Sequence, residues 1–323
     1  MIRHLIDLFD LSPEDARDIL DHALALKRED QRGNRPPYLA GRSLGLIFEK
    51  PSLRTRVSFE AAIGQLGGNA IFLRGQDVGI GVRESIADFA RVLSQYVDVL
   101  AMRTFSHATI EELARYATIP IVNALSDSAH PCQALADLMT IQELRGGLDG
   151  IKLVFVGDGN NVARSLAQAS ALLGLEFVLA SPPGFAFPPE FRARFEETFP
   201  GVPLVVEHDP IRAVSGADVV YTDVWTSMGQ EHEAEDRRKA FEPFQVDTAL
   251  LDRAGPDAIL LHCLPARRGE EVTSAVLDGP RSAVILQAAN RLHLQKALLL
   301  WLVLGSWPDV LTPNASARLH SRD

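Results

Sequence analysis

Six segments of this chain place side chains where their types and spacing suit chemistry. The first runs Phe48-Glu49-Lys50-Pro51-Ser52-Leu53-Arg54-Thr55-Arg56: an apolar strand ends, a proline turn follows, and Ser52 is set to cap a helix. Free N–H groups and the helix dipole favour an anion at such a start. A guanidinium fork and two hydroxyls in the same turn suit a phosphate dianion. Taken alone, the pattern also fits an ordinary capped helix with solvated arginines. The second segment is Ser126-Asp127-Ser128-Ala129-His130-Pro131-Cys132-Gln133, with His130 and Gln133 three apart on a helix start, so that both face one ligand. An imidazole there can polarise a carbonyl, and an amide can hold a planar NH2 group. Arg103, just past another apolar strand, points to the same rim.

The remaining four segments lie in the C-terminal half. Gly157-Asp158-Gly159-Asn160-Asn161-Val162 resembles a dinucleotide loop but has Val162 where a third glycine belongs, which argues against a nicotinamide cofactor. Asn160 or Asn161, at a helix N-terminus, can instead hold a carboxylate. In Thr222-Asp223-Val224-Trp225-Thr226-Ser227-Met228-Gly229-Gln230, Asp223 can pair with an ammonium while Ser227 and the Met228 backbone hold the rest of an amino acid. The bland alternative is a loop whose aspartate caps the next helix. Leu261-His262-Cys263-Leu264-Pro265 ends a strand with a thiol that has no local base and no second ligand at metal spacing, so no metal is expected. Ala289-Asn290-Arg291 places an arginine at the expected start of a last apolar helix, Leu292–Leu304.

Short apolar runs alternating with helix-period segments must position these groups. Ser43–Phe48, Ala70–Leu73, Val97–Met102 and Ile119–Val122 read as strands, with helices at Arg56–Leu66, Glu84–Tyr96 and Ile110–Tyr116 between them. Ser12-Pro13-Glu14-Asp15 opens an earlier helix with a cap, a proline and acids in the first turn. A second series follows Arg145-Gly146-Gly147, with strands near Lys152–Val156, Glu176–Ala180, Leu204–Glu207, Asp218–Thr222 and Ala258–His262. The helix from about Pro131 to Leu144 bridges the series, and the proline-rich stretch Ser181–Pro189 reads as a surface loop. Such alternation predicts α/β architecture: two doubly wound parallel-sheet domains joined by interdomain helices. They divide as 1–145 and 146–289, with a helix at 290–310 returning to the first and a polar tail, Pro308–Asp323, beyond. Every chemical segment but the last then follows a strand, at the edge where ligands collect in such sheets.

Composition narrows the classes. Of 323 residues, 46% are apolar and 23% charged, a soluble globular profile, and the net charge of −10 argues against a nucleic-acid surface. No apolar run approaches the roughly 20 residues of a membrane span, and the N-terminus lacks the layout of a signal peptide. Two cysteines, Cys132 and Cys263, build no disulfide framework and fit a reducing cytoplasm.

The combination and order of the segments are more telling than any one. Ser-x-Arg-Thr-Arg at Ser52–Arg56, His-Pro-x-Gln at His130–Gln133, Asp-x-x-x-Ser-Met-Gly at Asp223–Gly229 and His-Cys-Leu-Pro at His262–Pro265 together resemble the ornithine carbamoyltransferase family, over about Leu5 to Leu304. That resemblance implies transfer of a carbamoyl group from carbamoyl phosphate to the side-chain amine of L-ornithine, within arginine metabolism and without metal or organic cofactor. It implies that Ser52, Leu53, Arg54 and Thr55 hold the phosphate, that Arg103 and His130 reach the carbamoyl carbonyl, and that Gln133 holds its nitrogen. Asn161, Asp223, Ser227 and Met228 would bind ornithine, with Cys263, Leu264 and Arg291 lining the reacting centre. The expected catalytic set is Arg54, Arg103, His130, Asp223, Cys263 and Arg291. The family resemblance also implies a cytoplasmic homotrimer in which a neighbour's loop, here Asp77–Ser85 with Gly79 and Arg83, completes each site. Leu53 stands where the family usually has threonine, and Gly79 where many relatives carry glutamine. These departures leave room for another acceptor, such as putrescine or an acylated ornithine. An oxidoreductase is undercut by Val162, and a non-catalytic binder by the presence of Arg54, Arg103 and His130.

Overall fold

The computed structural model describes residues 2–227, 229 and 231–308, and Met228 and the tail beyond Pro308 lie outside the described residues. Two compact units form, one from residues up to Met139 plus the chain from Asn290, the other from Thr140–Ala289. The chain passes between them inside two helices, Pro131–Arg145 and Val284–Leu304.

The first unit begins with α1 (Pro13–Gln31), whose cap is as the sequence suggests: Ser12 accepts the Asp15 N–H at 3.0 Å and Pro13 opens the helix. A parallel sheet follows, built from β1 (Ser43–Phe48), β2 (Asn69–Arg74), β3 (Val99–Arg103) and β4 (Ile121–Leu125) in the order β2-β1-β3-β4. The helices are α2 (Leu53–Gln65), α3 (Gly75–Val78), α4 (Ile86–Leu93), α5 (His107–Tyr116) and α6 (Pro131–Arg145). Strands β1 and β3 are almost wholly buried, as continuous apolar runs in parallel sheets are, whereas the edge strand β2 is partly exposed. The expected strands at Val97 and Ile119 start two residues later, at Val99 and Ile121. Asp98 is used as a junction, taking the Ser43 N–H at 2.7 Å and the Arg42 guanidinium at 2.7 Å.

The second unit carries β5 (Lys152–Val156), α7 (Asn161–Leu173), β6 (Glu176–Ala180), β7 (Val205–Glu207), β8 (Val219–Thr222) and β9 (Ile259–His262). Its sheet runs β7-β6-β5-β8-β9, all parallel, over a core that includes Val154, Val156, Val220, Leu260, Trp225 and Phe241. In both sheets the chain winds one way from its first strand and then the other, creating switch points between β1 and β3 and between β5 and β8. The chemical segments leave the carboxyl ends of β1, β3 and β4 in one unit and of β5, β8 and β9 in the other.

Two readings need correction. The last helix is Val284–Leu304, so it starts eight residues before the expected Leu292 and Arg291 lies about two turns inside it. Its period was masked because Gln287, Asn290, Arg291, Gln295 and Lys296 are polar yet buried. Two of them find partners within their own unit: Lys296 meets Asp30 at 2.6 Å, and Asn290 accepts from Lys27 at 2.7 Å. The stretch Ser181–Pro189 is also more than a surface loop. Ser181 and Phe187 are buried, Phe185 packs on Phe241 with ring centroids 4.8 Å apart, and the Phe185 carbonyl accepts the Gly159 N–H at 2.8 Å. Any Cβ at Gly159 would lie 2.7 Å from the Ala186 backbone, so glycine is required there.

Candidate active site

In the first unit, the end of β1 turns through Pro51 into α2. Ser52 caps this helix, its Oγ accepting the Thr55 N–H at 3.3 Å, which leaves the hydroxyl proton to donate outward. Leu53 is 75% exposed and holds the first position of the helix. Arg54 is half-buried, and no hydrogen bond or ion pair ties its guanidinium to another described residue. Thr55 is buried and its Oγ1 accepts from Arg291 Nη2 at 2.7 Å. The other arm of Arg291 donates to Gln133 Oε1 at 2.5 Å, and Gln133 Nε2 donates to Asp137 at 2.8 Å. A chain of buried polar groups thus links the start of α2, the last helix and α6.

Arg103, at the end of β3, and His130, before α6, are both buried. Burial first, and then the charges of Arg291 and Arg103, push the His130 pKa well below the usual histidine value, so the ring is neutral. A neutral imidazole beside two guanidiniums is suited to polarising an oxygen rather than to accepting a proton. Lys50 joins the same group, although sequence reasoning passed over it inside its motif. It is buried, lies 4.3 Å from the centroid of the Phe105 ring, and has its pKa lowered by burial and then by Arg103. Cys132 is no nucleophile: burial pushes its thiol up to about 12.

In the second unit, Asn160 and Asn161 separate clearly. Asn160 caps α7, its Oδ1 accepting from Val162 and Ala163 at 2.9 and 3.0 Å, while its Nδ2 donates to Asp223 Oδ2 at 3.0 Å. Its amide is consumed by structure. Asn161 is the half-exposed member of the pair, at the first turn of a 13-residue helix. Asp223 is buried, with its Oδ1 accepting from Val224 N–H at 2.8 Å and Cys263 Sγ 3.1 Å away. Ser227 is half-buried, and Met228 is outside the described residues.

Leu264 sits at φ 57°, the left-handed region that leucine rarely adopts, before a cis bond to Pro265. Its N–H donates to His262 Nδ1 at 2.8 Å, and His262 Nε2 faces Glu271 Oε1 at 3.1 Å. Glu271 also accepts the Arg267 N–H, and the His262 N–H is taken by Gln287. This brace was not visible in the sequence, where only the motif spacing marked His262. It also bears on metal binding, since ligand atoms of Asp223, His262 and Cys263 lie within 4.8 Å of one another. Accepting a backbone N–H at Nδ1 makes Nε2 the protonated nitrogen facing Glu271, so neither ring nitrogen offers a lone pair. The donor set is that of a loop brace rather than a metal centre.

The segment Asp77–Ser85 ends α3 at Gly79, whose φ of 63° is a position glycine fills without strain. A Cβ at Gly79 would meet Arg83 Cγ and Cδ at 2.8 Å. Backbone conformation and the Arg83 stem together account for glycine at this position. Arg83 is exposed and makes no hydrogen bond or ion pair to a described residue, while Val82 beside it is 88% exposed.

Residues 3–143 match the family model described as the carbamoyl-P binding domain of aspartate/ornithine carbamoyltransferase, and residues 149–302 match its Asp/Orn binding domain. Two doubly wound α/β units matched in this order define a transcarbamoylase architecture. The chain belongs to the aspartate/ornithine carbamoyltransferase family. It is 54% identical over 305 residues to the ornithine carbamoyltransferase of Acidothermus cellulolyticus, covering 94% of this chain and 97% of that protein. It is 52% identical over 305 residues to that of Anoxybacillus flavithermus, covering 93% and 96%. The solved ornithine carbamoyltransferase of Pyrococcus furiosus is similar at TM-score 0.90 and 50% identity, covering 95% of this chain and 98% of that one. Among the described residues, no helix is long and apolar enough to cross a membrane.

Proposed function

We propose that the chain transfers the carbamoyl group of carbamoyl phosphate to the side-chain amine of L-ornithine, giving L-citrulline and phosphate. One observation carries the reading. The buried relay Thr55–Arg291–Gln133 lies in one unit with His130, Arg103 and an uncommitted Arg54 at a helix N-terminus. Ser52, Arg54 and the first N–H groups of α2 bind the phosphate. Thr55, Arg103 and His130 donate to the carbonyl oxygen, where charge grows as the amine attacks, an effect worth a few kcal/mol per donor. Gln133 holds the carbamoyl nitrogen. The amine lone pair forms the new C–N bond, the C–O bond to phosphate breaks with its electron pair leaving on the phosphate, and the departing phosphate takes the proton that the attacking nitrogen sheds. Asn161, Asp223, Ser227 and Met228 bind the amino acid, with Cys263 and Leu264 beside them. A citrulline colour assay with carbamoyl phosphate and a panel of amines tests the assignment. Ornithine is expected to be the best acceptor, and a preference for putrescine or acetylated ornithine would replace it.

Two outcomes follow for the chemistry. The ornithine side-chain amine, near a pKa of about 10 by analogy with lysine, must be neutral to attack. Because His130 is already neutral, the dependence on ornithine is set by the amine, and kcat/KM rises about tenfold per unit from pH 6 toward 8. A profile flat or falling through that range contradicts amine attack. Cys263, half-exposed beside Asp223, should alkylate more slowly when carbamoyl phosphate and an inert ornithine analogue are present. Equal rates with and without them would place the thiol outside the site.

The assembly proposed is a homotrimer in which Asp77–Ser85 of one copy reaches the phosphate site of the next. Exposed, uncommitted Arg83 supports this reading, since it offers charge where Gly79 offers no side chain. Heterologous contacts of this kind close into rings. Light scattering should give a trimer or a multiple of three. Co-refolding Arg83→Ala with Arg54→Ala chains should restore part of the activity that each lacks alone, because some sites then pair an intact loop with an intact pocket. An active monomer refutes shared sites, and a trimer without complementation removes Arg83 from the chemistry.

A further inference from the structure

Asp137 is completely buried, one turn beyond Gln133 on α6, and its carboxylate accepts from Gln133 Nε2 at 2.8 Å. The opposite end of that amide, Oε1, accepts from Arg291 at 2.5 Å. These partners leave the amide one orientation. A guanidinium only donates and must face the oxygen, which leaves the nitrogen to face the Asp137 carboxyl oxygen. Oε1 keeps a second lone pair that it can offer a ligand as an acceptor, backed by the carboxyl group that holds Nε2 from behind. An acceptor at this point welcomes an N–H and gains nothing from a methyl group. Gln133 has its position from α6, but its polarity is imposed by the residue one turn later.

We propose that Asp137 is a positioning residue which, by holding the Gln133 amide, makes the donor site prefer an NH2-bearing acyl phosphate over a methyl-bearing one. This rests on the carbamoyl-transfer reading, and it adds a source of donor specificity that lies behind the residues touching substrate. An unheld amide keeps its bulk but samples other rotamers, and a buried N–H left without an acceptor drives it to do so.

The test uses two stable ligands that differ only in that group, phosphonoacetamide and phosphonoacetone, bound to the full chain and followed by calorimetry. The native chain should prefer the amide by at least about tenfold, since a site built to pair an N–H rejects an analogue lacking it. Asp137→Ala should cut the preference to below about threefold while inorganic phosphate binds within about twofold of native. Asp137→Asn, which keeps a carbonyl acceptor for Nε2, should retain most of the preference. Gln133→Leu should abolish it, and adding Asp137→Ala to Gln133→Leu should cost nothing more. Should Asp137→Ala fail to fold, the contact is read from a swapped pair. Gln133→Glu sets two carboxylates together and loses amide binding, and Asp137→Asn added to it should restore most of the loss. No preference in the native chain would overturn the carbamoyl reading of this cluster. A native preference that survives Asp137→Ala, or a swapped pair without rescue, would overturn the role of Asp137 alone. Equal loss of phosphate and amide binding would reduce Asp137 to general structural support and overturn it as well.

Discussion

Arg54→Ala is expected to lower kcat/KM for carbamoyl phosphate by at least about a thousandfold, with the melting temperature almost unchanged. The size follows from what the guanidinium faces: removing one preorganised donor from a developing oxyanion costs about 10²–10³, and this group also carries a full charge. The small effect on fold follows from its surroundings. Arg54 is half-buried in the first turn of α2, and no ion pair or hydrogen bond to a described residue is lost with it. Substitutions that break no such feature usually fall within about 0.5 kcal/mol. The cap survives as well, because Ser52 bonds the Thr55 N–H rather than the Arg54 side chain. Steady-state turnover and thermal unfolding, measured on the same preparation, decide it. Near-native turnover removes the phosphate from this helix start, and an early melt that accounts for the loss removes Arg54 from the chemistry.

Which parts of this were readable in the chain has a physical pattern. Strands such as Ser43–Phe48 and Lys152–Val156 were found to the residue, because buried parallel strands demand unbroken apolar runs. Ser52, His130, Asp223 and Cys263 stand out as candidates because each follows such a run, where doubly wound sheets present ligands. What the sequence hid was partnership across distance. Nothing local links Arg291 to Thr55, 236 residues away, or to Gln133, 158 away, and the polar residues that make these bonds disguised the helix carrying them. The choice between Asn160 and Asn161 was equally hidden, since it depends on which amide the Asp223 carboxylate captures. Leu264 shows the same limit: its left-handed backbone is held by a His262–Glu271 pair that only the folded loop brings together.

Asp223→Asn should raise KM for ornithine roughly a hundredfold, about 3 kcal/mol at 1.4 kcal/mol per decade, while KM for carbamoyl phosphate stays within about twofold. The carboxylate supplies a charge-assisted bond to an ammonium, among the strongest single polar contacts available, and an amide cannot replace it. Carbamoyl phosphate is unaffected because its proposed ligands belong to the first unit, whereas Asp223 belongs to the second. A stability cost also follows, and its sign can be derived. Oδ2 accepts from Asn160 Nδ2 and Oδ1 from the Val224 N–H. The new NH2 must take one of these places and meet another donor. Asn160 cannot turn its own amide to help, because Oδ1 is committed to the Val162 and Ala163 N–H groups at the start of α7. One donor-to-donor contact therefore remains in either orientation, at about 1–3 kcal/mol, and melting should fall by a few degrees. The two effects are separable, since saturating ornithine restores turnover if the fold is intact but not if it is lost. A native KM for ornithine in a variant that melts early would leave Asp223 as a brace for α7 and Cys263, and would move ornithine recognition to Asn161 and Ser227.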